Sequence, residues 1–152
     1  FDLNKGIKDT LVIARNEFKN SCNVKTDFGD IQPVLCIPQL INEVLLNLVV
    51  NASQAIKALQ RKELGNITIR TFTEDNRTYC DIEDDGPGIP VSIQSKIFEP
   101  FFTTKEVGKG TGLGLSISYD IIVKKHHGNL EVMQSGPTGT TFRISLPHFP
   151  KP

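Results

Sequence analysis

At 152 residues, the chain has the length of one domain with its own core. Its 17 basic and 17 acidic residues cancel, which removes the global field expected of a nucleic-acid binder or of a domain held on an anionic membrane. No window approaches ~18 uninterrupted apolar residues, so nothing in it reads as a bilayer-spanning helix. Cys22, Cys36 and Cys80 lie far apart, without a C-x-x-C or an even-numbered framework, and predict reduced intracellular thiols and a cytoplasmic location. Phe1 is not an initiator Met and no signal-peptide pattern follows it. The expectation is a piece of a longer protein whose missing part could itself be membrane-anchored.

Residues 3 to about 20 place Leu3, Ile7, Leu11, Ile13, Ala14 and Phe18 at helical spacing, weakened by Gly6 and Thr10. Residues 24–28 alternate and predict an edge-type strand; residues 32–37 predict a short strand broken by Pro33. The stretch that organises the chain follows. Pro38 suits a first helical position, and Leu40, Val44, Leu48, Ala52 and Ile56 recur at helical spacing with Ile41, Leu45 and Val49 beside them. Leu46 and Val50 widen the apolar surface until one polar stripe remains, at Glu43, Asn47, Asn51 and Gln54. A helix this apolar is buried, so the two asparagines either cap other backbone or line a polar cavity, where an amide oxygen suits a hard cation such as Mg2+.

Residues 67–72 and 78–83 alternate on either side of an Asp75-Asn76-Arg77 turn and predict a hairpin. Ser92 is placed to cap a short helix reaching Ile97. Residues 98–112 lack periodicity and read as a mobile loop, and residues 113 to about 125 read as a helix with Leu113, Leu115, Ile117, Ile121 and Ile122 as its apolar positions. Residues 129–133 and 141–146 are the last strands, joined by the Gly136-Pro-Thr-Gly139 turn. The elements predict one α/β (α+β) two-layer sandwich, a mixed, largely antiparallel sheet of about five strands covered on one face by three helices. They do not alternate strictly enough for a doubly wound parallel sheet.

Two glycine-rich stretches carry chemistry. Asp84-Asp-Gly-Pro-Gly88 leaves a strand; it fits a plain turn, or a site where backbone approaches a ligand and a carboxylate accepts from an exocyclic amine. Gly108-Lys-Gly-Thr-Gly-Leu-Gly114 exposes successive N–H groups ahead of a helix, with Lys105 and Lys109 adding charge; it fits an anion site or a flexible linker. No G-K-[ST] ends it and no G-x-G-x-x-G fits it, so neither a Walker loop nor a dinucleotide fingerprint is present.

Together the ordered motifs resemble the catalytic, ATP-binding domain of two-component sensor histidine kinases, in the superfamily shared with gyrase, Hsp90 and MutL. Asn47-x-x-x-Asn51 resembles the N box, Asp84-x-Gly86-x-Gly88-Ile-Pro the first glycine box, Ile97-Phe-Glu-Pro-Phe-Phe-Thr-Thr-Lys105 the F box, and Gly110-Thr-Gly-Leu-Gly-Leu115 the second glycine box. Ser135-Gly-Pro-Thr-Gly-Thr-Thr-Phe142 is similar to the family's last turn. The resemblance covers essentially residues 1–152 as one domain, with residues 1–4 like the end of the linker from a dimerisation domain. It implies that Asp84 accepts from the adenine amino group, with Gly86, Gly88 and Ile89 shaping that pocket. Asn51 would coordinate Mg2+, and Asn47 would line the same pocket. Residues 101–112 would form an ATP lid, with Gly110, Thr111, Gly112, Leu113 and Gly114 at the phosphates and Lys105 and Lys109 as cationic partners. Gln54 lies where some sensor kinases place a phosphate-facing lysine, and Thr140 would join the adenine water network.

The implied function is transfer of the ATP γ-phosphoryl group to a histidine on a separate dimerisation domain, with a response regulator downstream and neither nucleic acid nor membrane as partner. Asn47 stands where ATP-hydrolysing relatives carry a glutamate, and an amide cannot serve as that base; Glu43, one turn earlier, is too distant to replace it. His126 and His127 read as structural or surface residues rather than phosphoacceptors, with His127-Gly128 similar to the family's structural His-Gly. Phe98 and Phe101 are candidates for coupling the lid to a partner. The alternatives are an ATP-hydrolysing member of the superfamily, a ligand-free interaction module, and a serine kinase.

Overall fold

The computed structural model describes residues 1–102 and 114–148. Five alternating segments, β1 (Cys22–Phe28), β2 (Gly65–Glu74), β3 (Arg77–Asp84), β4 (Asn129–Gly136) and β5 (Gly139–Pro147), form one sheet in the order β1-β2-β3-β5-β4. β1 runs parallel to β2, and the other pairings are antiparallel. Period-two alternation puts Ile67, Ile69, Cys80, Ile82, Phe142, Ile144 and Leu146 on one buried face. That face is covered by α1 (Leu3–Phe18), α2 (Pro38–Ala58), and α4 (Gly114–Tyr119) with its π-helical continuation Asp120–Lys125. The expected two-layer sandwich is the observed one.

α2 is the centre of the core. Its Ile41, Val44, Leu45, Leu48, Val49, Ala52 and Ile56 are all buried, and Pro38 opens it as expected. On α1 the inward stripe is Leu3, Ile7, Thr10, Ala14 and Phe18, whereas Ile13 is 73% exposed. Ile13 therefore does not belong to the apolar face that its spacing suggested. Asp2 caps this helix by accepting from the Lys5 N–H.

Three local expectations give way. Residues 32–37 form no strand. Val34 instead exchanges two hydrogen bonds with Phe1, its N–H donating to Phe1 O (2.8 Å) and its O accepting from the Phe1 amino group (3.1 Å). Pro33 and Pro38, which lack N–H donors, leave this stretch unable to extend a ladder. The short helix is α3 (Val91–Gln94), led in by Pro90 and not capped by Ser92. The helix expected to run to 125 changes to π geometry at Asp120, and Ser116 and Ser118 face inward while Ile117 is 40% exposed. A π turn shifts the inward-facing positions, and brings Ile121 and Ile122 together into the core.

Candidate functional site

The carboxyl end of β3 delivers Asp84 to the edge of α2. Asp84 is 6% exposed; its Oδ1 accepts from the Gly86 N–H at 2.9 Å, and the Thr140 N–H, opposite it on β5, also donates to the carboxylate. Burial pushes its pKa up to about 6, against those two N–H groups, and the Asp85 and Glu83 charges add to the rise. Among the described residues its donors are backbone amides rather than a cation, so the carboxylate is an acceptor and not half of an ion pair there.

The turn after Asp84 is shaped for close backbone approach. Gly88 has φ +80°, and a Cβ there would lie 1.9 Å from Gly136 O. Gly139 has φ +148°, and its Cβ would lie 2.1 Å from Asp84 O. Both positions exclude side chains on geometry and on space. The two turns are tied together by Ser135, whose Oγ accepts from the Ile89 N–H (2.6 Å), donates to Ile89 O (3.3 Å) and lies 3.2 Å from Thr140 Oγ1. Asp84, Gly86, Gly88, Ile89 and Thr140 are thus brought together by β3, β5 and the turns they bound.

α2 supplies the facing wall. Ala55 lies against the position of Gly86. One turn and two turns back, Asn51 and Asn47 stand on the same helix, both partly buried. The Asn47 Nδ2 donates to Ser118 Oγ on α4 at 3.3 Å. Lower on the helix pair, the Ile37 N–H donates to His126 Nε2 at 3.0 Å, and His126 Nδ1 bonds Ile121 O at 2.8 Å. With one ring nitrogen accepting, the imidazole is the neutral Nδ1–H tautomer. These two links align α2 antiparallel to α4 and its continuation; Gly114, the first residue of α4, is exposed and faces open space. Gln54 Oε1 is buried without a hydrogen-bond partner among the described residues, an acceptor that a bound group would satisfy. Glu43 is exposed. Lys105, Lys109, Gly110, Thr111, Gly112 and Leu113 lie outside the described residues.

The residues present fit a Mg-nucleotide. No cluster of three or more His, Cys, Asp or Glu exists among the described residues, so Mg2+ would depend on amide oxygen and phosphate, a ligand set that it accepts. The buried Asp84 carboxylate supplies an acceptor at the other end.

A family model described as "Histidine kinase-, DNA gyrase B-, and HSP90-like ATPase" matches residues 36–150. The chain belongs to this family. It is 38% identical over 155 residues to the signal transduction histidine-protein kinase AtoS of Escherichia coli strain K12, over 98% of this chain and 24% of AtoS. The chain thus spans about a quarter of that relative's length. The solved catalytic domain of histidine kinase ThkA superposes with a TM-score of 0.83 at 33% identity, covering 99% of this chain and 95% of that one. A structure of ThkA in complex with response regulator TrrA gives 0.75 at 31% identity, covering 99% and 41%.

Several residues of this histidine-kinase-type catalytic domain escaped the sequence reading. Ser135 and Ser118 are small polar residues at ordinary strand and helix positions, and only tertiary contact reveals their hydrogen bonds. The structural histidine is His126, which is 7% exposed and bonded at both nitrogens. His127, the one expected to match the family's His-Gly, is exposed at φ +55°. Phe98 packs on Tyr119 (5.2 Å between centroids) and edge-on to Phe142 (6.4 Å), whereas Phe101 is 73% exposed at φ +64°. No helix among the described residues is long and apolar enough to cross a membrane.

Proposed function

We propose that this chain, as one domain, binds Mg-ATP and passes the γ-phosphoryl group to a histidine on a separate dimerisation domain of a sensor kinase in two-component signalling. Residues 1–4 would continue from the linker to that domain, a response regulator would act downstream, and the site would face the cytoplasm without touching nucleic acid or membrane. The observation that carries this reading is the buried Asp84 carboxylate between the Gly86 and Thr140 N–H groups, with no cation bonded to it among the described residues. Such an acceptor selects a base with an exocyclic amine, since a base lacking the donor leaves a buried charge unpaired. Asn51 would hold Mg2+, which would supply positive charge against the phosphates. Gln54, Gly114 and the glycine-rich segment with Lys105 and Lys109 would surround the phosphates.

The nucleophile and its base belong to the partner domain. Asn47 spends its amide N–H on Ser118, and an amide has no basic site with which to activate water, which favours transfer over hydrolysis. Calorimetric titration with a non-hydrolysable ATP analogue, with and without Mg2+, tests the reading. Expected are micromolar binding by the wild type, a loss of about tenfold or more in Asp84→Asn, as for a buried charge-assisted hydrogen bond, and loss of the Mg2+ dependence in Asn51→Ala. Unchanged affinity in both variants would sink it. Rapid steady-state phosphate release by the isolated chain would instead favour a hydrolase.

A further inference from the structure

Asp84 is the last residue of β3, and its partner on β2 is Ile67. One step further, the ladder is no longer made by backbone alone. The Asp85 N–H donates to Asn66 O (3.2 Å), and the return bond is made by a side chain: Asp85 Oδ1 accepts from the Asn66 N–H at 2.9 Å. Asp85 Oδ2 accepts from Asn66 Nδ2 at 3.0 Å, and Oδ1 also accepts from an Arg61 guanidinium nitrogen at 2.8 Å. Arg61 stands just past the end of α2. This carboxylate therefore joins the start of β2, the segment that follows α2, and the point at which the glycine turn leaves the sheet.

We propose that Asp85 is a positioning residue that sets the placement of the Asp84 carboxylate and so the selection of adenine, a role that rests on the nucleotide reading above. Asp84 has close packing on its other side, where Gly139 lies against its carbonyl and Thr140 donates to its side chain. The Asn66–Asp85–Arg61 cluster completes the frame from the β2 side. A selective site needs its groups held to within about 0.5 Å; Gly86, Pro87 and Gly88 carry no hydrogen-bonding side chain of their own, and Ser135 holds the turn only at its far end, at Ile89. Burial works to raise the Asp85 pKa, but the Asn66 and Arg61 donors hold it below the usual carboxylate range, so the acceptor form persists.

The test titrates the wild type, Asp85→Ala, Asp85→Asn and Arg61→Gln with non-hydrolysable ATP and GTP analogues, beside thermal denaturation of each apo protein. Asparagine keeps Oδ1 for both of its donors, so Asp85→Asn should retain the ATP preference to within about threefold, while Asp85→Ala should lower it about tenfold, the worth of one to two hydrogen bonds. A general loss of stability weakens both nucleotides alike and leaves the preference unmoved. An Asp85→Ala protein that folds and keeps the wild-type ATP preference overturns the role, as does Asp85→Asn losing as much as alanine. If Asp85→Ala does not fold, Arg61→Gln decides, since it removes one bond from a surface side chain: a fall of about threefold supports the role, and an unmoved preference overturns it. A wild type without ATP preference refutes the reading of Asp84 itself, and the role of Asp85 with it.

Discussion

Replacing Asp84 by asparagine should strengthen the fold at neutral and higher pH while, on the nucleotide reading, weakening nucleotide binding about tenfold or more. The carboxyl is raised from 3.8 to about 6 by burial, so ionising it in the folded state costs about 3 kcal/mol, at 1.36 kcal/mol per unit. A raised acid binds its proton more tightly folded than unfolded. Its contribution to stability is therefore fully present below pH 3.8 and is lost as pH rises through about 6. Asparagine does not titrate, and its oxygen can still accept from the Gly86 N–H. Its amide N–H groups meet the Thr140 donor, at a cost of about 1 kcal/mol. The variant should thus equal or trail the wild type near pH 4 and exceed it by about 2 kcal/mol at pH 8. Urea denaturation at half-unit pH steps reads this as a midpoint difference that grows through pH 6 at constant m. A difference that stays flat with pH, or one that shrinks, would refute the burial argument. On the nucleotide reading, the wild type should also lose affinity for an ATP analogue below pH 6, by up to about tenfold per unit, because only the ionised carboxylate accepts freely.

Other consequences are simpler to read. Gly88→Ala forces a Cβ onto the Gly136 carbonyl at a positive φ, and circular dichroism melts should show a loss of about 3 kcal/mol or outright unfolding. His126→Ala removes the link between the start of α2 and the π segment; it should destabilise by about 2–4 kcal/mol in urea. Arg143 grips Asp81 with two bonds, of 2.7 and 2.9 Å, and lies over the Phe72 and Tyr79 rings. Arg143→Ala should therefore cost about 2–3 kcal/mol. Arg70→Ala breaks the more exposed pair with Glu83 and should change stability by less than about 1 kcal/mol. Equal effects in the two arginine variants would contradict that ranking.

The sheet and the buried helix were legible because their signals are periodic and long. Strand alternation at residues 67–72 and 78–83 and the near-continuous apolar surface of α2 leave few other ways to bury that area. The failures sit where periodicity is short or where a partner lies far along the chain. Residues 32–37 carry strand-like residues, but the prolines deny them a ladder and Phe1 takes up Val34. Ile13 was assigned inward from spacing alone, and Val12 beside it is equally exposed. On α4 the inward positions are Ser116 and Ser118, ahead of the π segment that begins at Asp120, an arrangement that no apolar period announces. In the site, Asp84, Gly86 and Gly88 were visible because their residue types are dictated by charge and backbone geometry. Ser135, Asp85 and Asn66 were not, because each matters through a hydrogen bond closed in three dimensions.

On the nucleotide reading, the base end and the phosphate end of this site would rest on different physical terms. The base end is packed into the sheet: Asp84 is held by β5, by its own turn and by the Asn66 and Arg61 bonds of its neighbour, and Gly88 and Gly139 touch backbone directly. The proposed phosphate end has no carboxylate cluster among the described residues and would depend on amide oxygen from α2. An ion held by neutral amides would gain little without phosphate oxygens as further ligands, because Mg2+ gives up water reluctantly. Magnesium alone should therefore bind this chain too weakly to detect at millimolar concentration, and should bind together with nucleotide. Mg2+ titration followed by calorimetry or by amide NMR shifts at Asn51 checks this. Saturable binding in the absence of nucleotide would mean that the protein itself makes a metal site, and would remove the argument that the phosphates complete it.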